Sequence, residues 1–209
     1  MKNLFALSIL AASVAMTACS KKPEETTPAT GAAATTASAS GATIIKIGHA
    51  APLTGPQAHL GKDNENGVRL AVDELNAKGL TIGGQKVQFE LHSEDDQADP
   101  RIATTVAQKF VDDKVNVMIG HLNSGTTIPA SRIYNDAGIV EISPSATNPK
   151  YTQQGYKGAF RVMANDVQQG KVLGEFAVND MAAKKIAIID DRSAYGQGLA
   201  DEFEKAAKA

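Results

Sequence analysis

The sequence predicts an α/β fold on a parallel, doubly wound sheet, and three observations carry that prediction. Short β-branched runs recur along the chain, apolar residues at helical spacing fill the intervals, and Gly or Asp-Pro punctuates the junctions. Strands alternating with helices form parallel sheets through right-handed crossovers.

Thr43 to Gly48 reads as the first strand, through Ile44, Ile45 and Ile47. Val68, Ala71, Val72 and Leu75 then share one helical face until Gly79 stops the helix. Gly83-Gly84 marks a turn into Val87, Phe89 and Leu91, which alternate with polar residues as a partly buried strand does. Asp99 and Pro100 suit the N-cap and first position of a helix whose buried face is Ile102, Ala103, Val106 and Phe110. Val115 to Ile119 is a strand ending at Gly120, Thr127 to Asp136 a helix closed by Gly138, and Ile139 to Ile142 another strand. Asp166 to Met181 is again helical, with Val167, Val172 and Phe176, Lys185 to Asp190 reads as a strand, and a last helical pattern begins near Gly198. Ligands in such sheets sit beyond the C-terminal ends of the strands, so the loops after Ile47, Ile119, Ile142 and Ile189 are where function is expected. The chain stops inside that last pattern, and the expectation is a fragment of a longer protein whose second domain has only begun.

The N-terminus predicts export. Lys2 precedes an apolar run from Leu4 to Ala15 that is too short to span a bilayer, which reads as a secretory signal peptide over residues 1–18. Small residues precede Cys19, the only cysteine of the chain, so Cys19 is the expected site of cleavage and acylation. Residues 19–42, made almost wholly of Lys, Pro, Glu, Thr, Ala, Ser and Gly, then form a lipidated, disordered tether to a membrane surface. The expected location is the periplasm or cell surface.

A net charge of −2 offers no basic footprint for nucleic acid, and 5% aromatic residues without Trp offer no stacking platform. Gly55 to Lys62 follows a strand as a phosphate loop does, but five residues separate its glycines and Asp63 stands where a magnesium-binding hydroxyl is required. No G-x-G-x-x-G follows a predicted strand. His49, His59, His92 and His121 are dispersed, so no metal is expected. Ser124 lies outside a G-x-S-x-G elbow, which disfavours a hydrolase. Glu94-Asp95-Asp96 suits either a cation or a solvated loop. What remains are two hydroxyl-bearing loops, Leu122 to Thr127 and Ser143 to Thr147, whose N–H and O–H donors suit a carboxylate. Ordinary helix capping by Ser124 and Thr147 would explain the same residues. No cofactor and no enzymatic activity are expected.

In these loops, Ile119-Gly120-His121-Leu122-Asn123-Ser124 and Ile142-Ser143-Pro144-Ser145-Ala146-Thr147-Asn148-Pro149 resemble the periplasmic Leu/Ile/Val-binding protein family, the branched-chain amino-acid receptors of ABC transporters. Pro52-Leu53-Thr54-Gly55-Pro56, Asp73-Glu74-Leu75-Asn76-Ala77-Lys78-Gly79, Pro129-Ala130-Ser131-Arg132-Ile133-Tyr134 and Tyr195-Gly196-Gln197-Gly198-Leu199 extend the resemblance, in order, from about Lys46 onward.

The resemblance implies a type I periplasmic-binding-protein fold, with a doubly wound parallel sheet in each of two hinged lobes. Residues 43–163 would be the first lobe and 164–209 the beginning of the second, which is incomplete here. It also implies a monomer, and a function in capturing an amino acid, branched-chain or otherwise aliphatic, for the membrane subunits of an ABC importer. By matching positions, Ser124 would meet the ligand carboxylate with its hydroxyl and amide, and Thr147 with its amide. Ser145 would offer its carbonyl, and Thr147 its hydroxyl, to the ammonium. Leu122 and Asn123 would flank the ligand side chain, and Tyr195 would cover it from the second lobe. A ligand-sensing module, or a receptor for amides, urea or aromatic acids, is the alternative on the same fold. Three positions depart from the family: Ala98 and Asn123 stand where a disulfide is often found, and Leu60 where an aromatic residue is common.

Overall fold

A computed structural model describes residues 41–209. The expected signal peptide, Cys19 and all but the last two residues of the expected tether lie outside the described residues. Six strands form one sheet in the order β2-β3-β1-β4-β5-β6. The strands are β1 (Thr43–Ala51), β2 (Thr81–Ile82), β3 (Gln85–Asp95), β4 (Val117–Gly120), β5 (Val140–Ser143) and β6 (Ala159–Arg161). All neighbours pair in parallel except β2 with β3.

Side-chain alternation on the central strands divides the core in two, as a period of two requires. Ile45 and Ile47 of β1, with Val117 and Ile119 of β4, pack on Val68 and Val72 of α1 (Ala58–Lys78). The opposite face of the sheet, through Ala50 and Met118, meets Val106, Ala107 and Phe110 of α2 (Pro100–Asp112) and Ala130 and Tyr134 of α3 (Ser124–Asp136). Gly48 is required on that face, because a β-carbon there would overlap Met118 and press on Phe110. The chain is thus wound to both sides of β1, and the strand order reverses between β3 and β4.

Local chemistry sets the element ends. Gly79 closes α1 in the left-handed region at φ 60°, and Gly83 and Gly84, both at positive φ, turn β2 into β3. Asp99 caps α2 by accepting from the amides of Arg101 and Ile102, with Pro100 in the first turn. Asn76 clips α1 to the sheet as a strand neighbour would: its Nδ2 donates to Phe89 O at 2.9 Å and its Oδ1 accepts from Phe89 N at 2.8 Å.

After β6 come α5 (Asp166–Glu175), a π-helical turn (Phe176–Asp180) and α6 (Ala194–Ala207); α4 (Lys150–Gln153) is a single turn before β6. Gly170 and Gly174 let α5 approach α6, since a β-carbon at either would overlap residues 202–207. One expectation is overturned: residues 185–190 form no strand. Ile189 is 94% exposed and Ile186 and Ile188 are each 41% exposed. Among the described residues no strand lies beside this segment, so its backbone has no ladder to join. The short elements β2, β6 and α4 are too brief to show a hydrophobic period.

Candidate functional site

The reversal of strand order brings the C-terminal ends of β1, β4 and β5 together, which is where open α/β sheets bind ligands. Three loops meet there, and polar side chains fasten each to a neighbour.

The loop after β1 is held by Asp95 at the end of β3. Asp95 accepts from Leu53 N at 2.8 Å, from Gln97 N at 2.9 Å and from the Thr54 hydroxyl. Burial pushes the Asp95 carboxyl up, but the Thr54 hydroxyl and the Gln97 and Leu53 amides outweigh it and hold the group below its ordinary range. Asp96 is fully buried and receives His121 Nδ1 at 2.7 Å, while Glu94 pairs with Lys109 at 3.0 Å. Protein donors therefore engage all three members of the acidic run, which supports neither the cation nor the solvated-loop reading.

The loop after β4 is fixed through His121. Its Nε2 lies 3.1 Å from the Tyr134 hydroxyl, and its carbonyl accepts from Thr127 Oγ1 at 3.1 Å and Ser143 Oγ at 2.8 Å. Neighbouring His49 bonds Ile119 O at 2.8 Å, and burial lowers its pKa. The helix that follows begins without a side-chain cap. Asn123 is the N-cap residue, but its Nδ2 donates to Gln57 Oε1 at 2.8 Å instead. Ser124 is the first helical residue, so it does not cap α3, and Thr147 begins no helix. The amide of Ser124, at the positive end of the helix dipole, makes no hydrogen bond among the described residues.

The loop after β5 completes the cluster. Ser143 Oγ accepts from Ala146 N at 2.9 Å, and Ser145 Oγ donates to Leu122 O at 2.8 Å. Ser124 Oγ, with its residue 1% exposed, accepts from Asn148 N at 3.2 Å and keeps its own proton to donate. Thr147 Oγ1 is buried without a hydrogen-bond partner among the described residues. Its carbonyl accepts from Asp166 N at 2.9 Å. Burial raises the Asp166 carboxyl above its ordinary range, and the nearby Thr147 hydroxyl favours its charged form without reaching hydrogen-bond geometry.

Asn123, Ser124 and Tyr195 line one cavity of about 400 Å³ together with Gln57, Ala98 and Pro100. Leu122, Ser145 and Thr147 do not line it; Ser145 Oγ is bonded to Leu122 O, and Ser124 Oγ to the amide of Asn148, the residue after Thr147. Tyr195, 41% exposed, sits in the first turn of α6, and that turn is tied to the β5 loop by Asn148 Nδ2 donating to Ala194 O at 2.7 Å. The departing pair Ala98 and Asn123 thus borders the same cavity. Gln57 was not singled out by sequence reasoning, which gave Asn148 no role, read Asp95 and Asp96 as a cation site or a solvated loop, and read His121 as one of four dispersed histidines. Gln57 and Asn148 did carry a positional signal, since both follow strands whose ends were expected to bind.

The geometry agrees with three comparisons. The family model described as periplasmic binding protein matches residues 44–209. Leu/Ile/Val-binding protein homolog 1 of Brucella abortus is 45% identical over 161 residues, covering 77% of this chain and 43% of that protein. The leucine-, isoleucine-, valine-, threonine-, and alanine-binding protein of Pseudomonas aeruginosa is 40% identical over 164 residues, with 78% and 43% covered. The branched-chain amino acid transporter substrate binding protein LivJ of Streptococcus pneumoniae, solved in complex with isoleucine, superposes with a TM-score of 0.70 at 32% identity, covering 78% of this chain and 47% of that one. The chain spans less than half the length of these proteins. From Ile44 onward, this chain belongs to the periplasmic binding protein family.

Proposed function

We propose that this chain is part of an extracytoplasmic receptor that captures an amino acid, branched-chain or otherwise aliphatic, and presents it to an ABC importer. Residues 43–163 form its first lobe, 164–209 begin the second, and Cys19 carries the lipid anchor. The observation that carries this reading is the uncapped start of α3, where the Ser124 amide and uncommitted Ser124 proton lie beside the Thr147 loop. A carboxylate placed there takes hydrogen bonds from Ser124 and from the Thr147 amide, and gains the helix dipole. The Ser145 carbonyl and Thr147 hydroxyl serve the ammonium, while Leu122, Asn123 and Tyr195 border the side chain. The names of the Brucella and Pseudomonas relatives, and the isoleucine bound to the Streptococcus protein, support the same ligand class.

Each hydrogen bond to a charged ligand group contributes about 1.5–3 kcal/mol. In the full-length protein carrying this sequence, Ser124→Ala is therefore expected to weaken leucine binding by about ten- to a hundredfold. Titration calorimetry and a melting curve on the same variant decide the matter. A lowered melting temperature with unchanged affinity would give Ser124 a structural role and remove the carboxylate site.

A further inference from the structure

We propose that Arg161 is a positioning residue of this site, aiming the Thr147 amide at the ligand carboxylate; the inference rests on the carboxylate reading above. Arg161 ends β6 and makes no hydrogen bond to a residue assigned to the ligand. Its Nη1 donates to Ala146 O at 2.8 Å, and its Nη2 donates to Asn148 O and to Thr152 Oγ1, each at 2.9 Å. The guanidinium also lies over the ring of buried Tyr151, 5.5 Å from its centre. Between the two carbonyls taken by Arg161, Thr147 O accepts from Asp166 N at 2.9 Å. Three successive carbonyls are thus occupied by donors from β6 and the start of α5.

The consequence follows from the peptide bond. In a planar trans unit the C=O of one residue and the N–H of the next point in opposite directions. Holding Thr147 O at Asp166 turns the Asn148 N–H away from α5, and that amide does reach Ser124 Oγ, at 3.2 Å. By the same geometry, holding Ala146 O at Arg161 turns the Thr147 N–H away from the guanidinium. Among the described residues this amide makes no hydrogen bond, so it is a spare donor pointed opposite Arg161. Arg161 suits the task because a planar fork reaches two carbonyls two residues apart, whereas a lysine ammonium is a point charge on a flexible stem.

Leucine and leucinamide, which differ only in the carboxylate, separate positioning from general stability. In the full-length protein, Arg161→Lys keeps the charge and loses the fork. It is expected to weaken leucine binding by ten- to thirtyfold while leaving leucinamide within threefold. Thr152→Val, at an exposed position, removes one anchor of the guanidinium and is expected to give a two- to fivefold loss confined to leucine. Thr152→Val keeps the inference testable should Arg161→Lys not fold. Equal weakening of both ligands, or an Arg161→Lys variant within twofold of wild type on leucine, would overturn it. A wild-type protein that binds no aliphatic amino acid would instead remove the carboxylate reading, and this inference with it.

Discussion

Residues 115–120 and residues 185–190 carry the same kind of sequence, a β-branched run ending where a loop begins, yet they have opposite fates. In the first, residues 117–120 become β4, flanked by β1 and β5, with Met118 fully buried and Val115, just before the strand, 4% exposed. The second stays irregular, with Ile189 94% exposed. The difference teaches that a strand-like run records a preference for a pleated, half-buried surface, and that a neighbour is needed to supply it.

The comparison breaks most readily on the buried side. Phe110 has no exposed surface and packs against the face of β1 and β4 that carries Gly48 and Met118. Phe110→Ala leaves a cavity there and is expected to cost about 3–5 kcal/mol of stability, read from urea unfolding. A loss below 1 kcal/mol would mean that this face is not closely packed.

Much of that buried side was legible in advance, because its signals are local. Asp99 and Pro100 start a helix through backbone chemistry within three residues, and Gly79 and Gly83-Gly84 supply conformations that other residues resist. Ser124 and Thr147 stood out because hydroxyls cluster in short loops after strands. What escaped notice depends on partners far along the chain. Asp96 looked like surface charge until His121, 25 residues on, met it in the interior. Arg161 gave no sign of bracing residues 146–148, because the contact exists only once β5 and β6 lie side by side.

Glu141, on β5, gives a subtler contrast, since its carboxylate oxygens are buried without a partner among the described residues. Burial raises its pKa well above the ordinary 4.5, with the Tyr151 hydroxyl opposing. The folded state therefore keeps a proton that the unfolded chain releases above about pH 4.5. Stability is full below that pH and falls as pH rises, by up to about 1.4 kcal/mol per pH unit while Glu141 stays protonated. Glu141→Gln cannot ionise, so its stability relative to wild type should grow as pH rises above about 4.5, by at most about 1.4 kcal/mol per pH unit. Parallel pH profiles for the two proteins would show that Glu141 titrates normally.

The smallest effect is expected where the strand signal failed. Ile189→Ser alters a side chain that is 94% exposed, so it removes neither a packed contact nor a hydrogen bond, and stability should change by no more than about 0.5 kcal/mol. The same substitution in a form of the protein where a neighbouring strand covers residues 185–190 would empty a packed position, and there the cost rises to about 2–5 kcal/mol. Unfolding both forms in urea measures the gap directly. A cost of several kcal/mol in the 209-residue chain would show that the isoleucines are already buried in solution. An equally small cost in both would show that this run, for all its β-branched residues, is a surface segment whatever lies beside it.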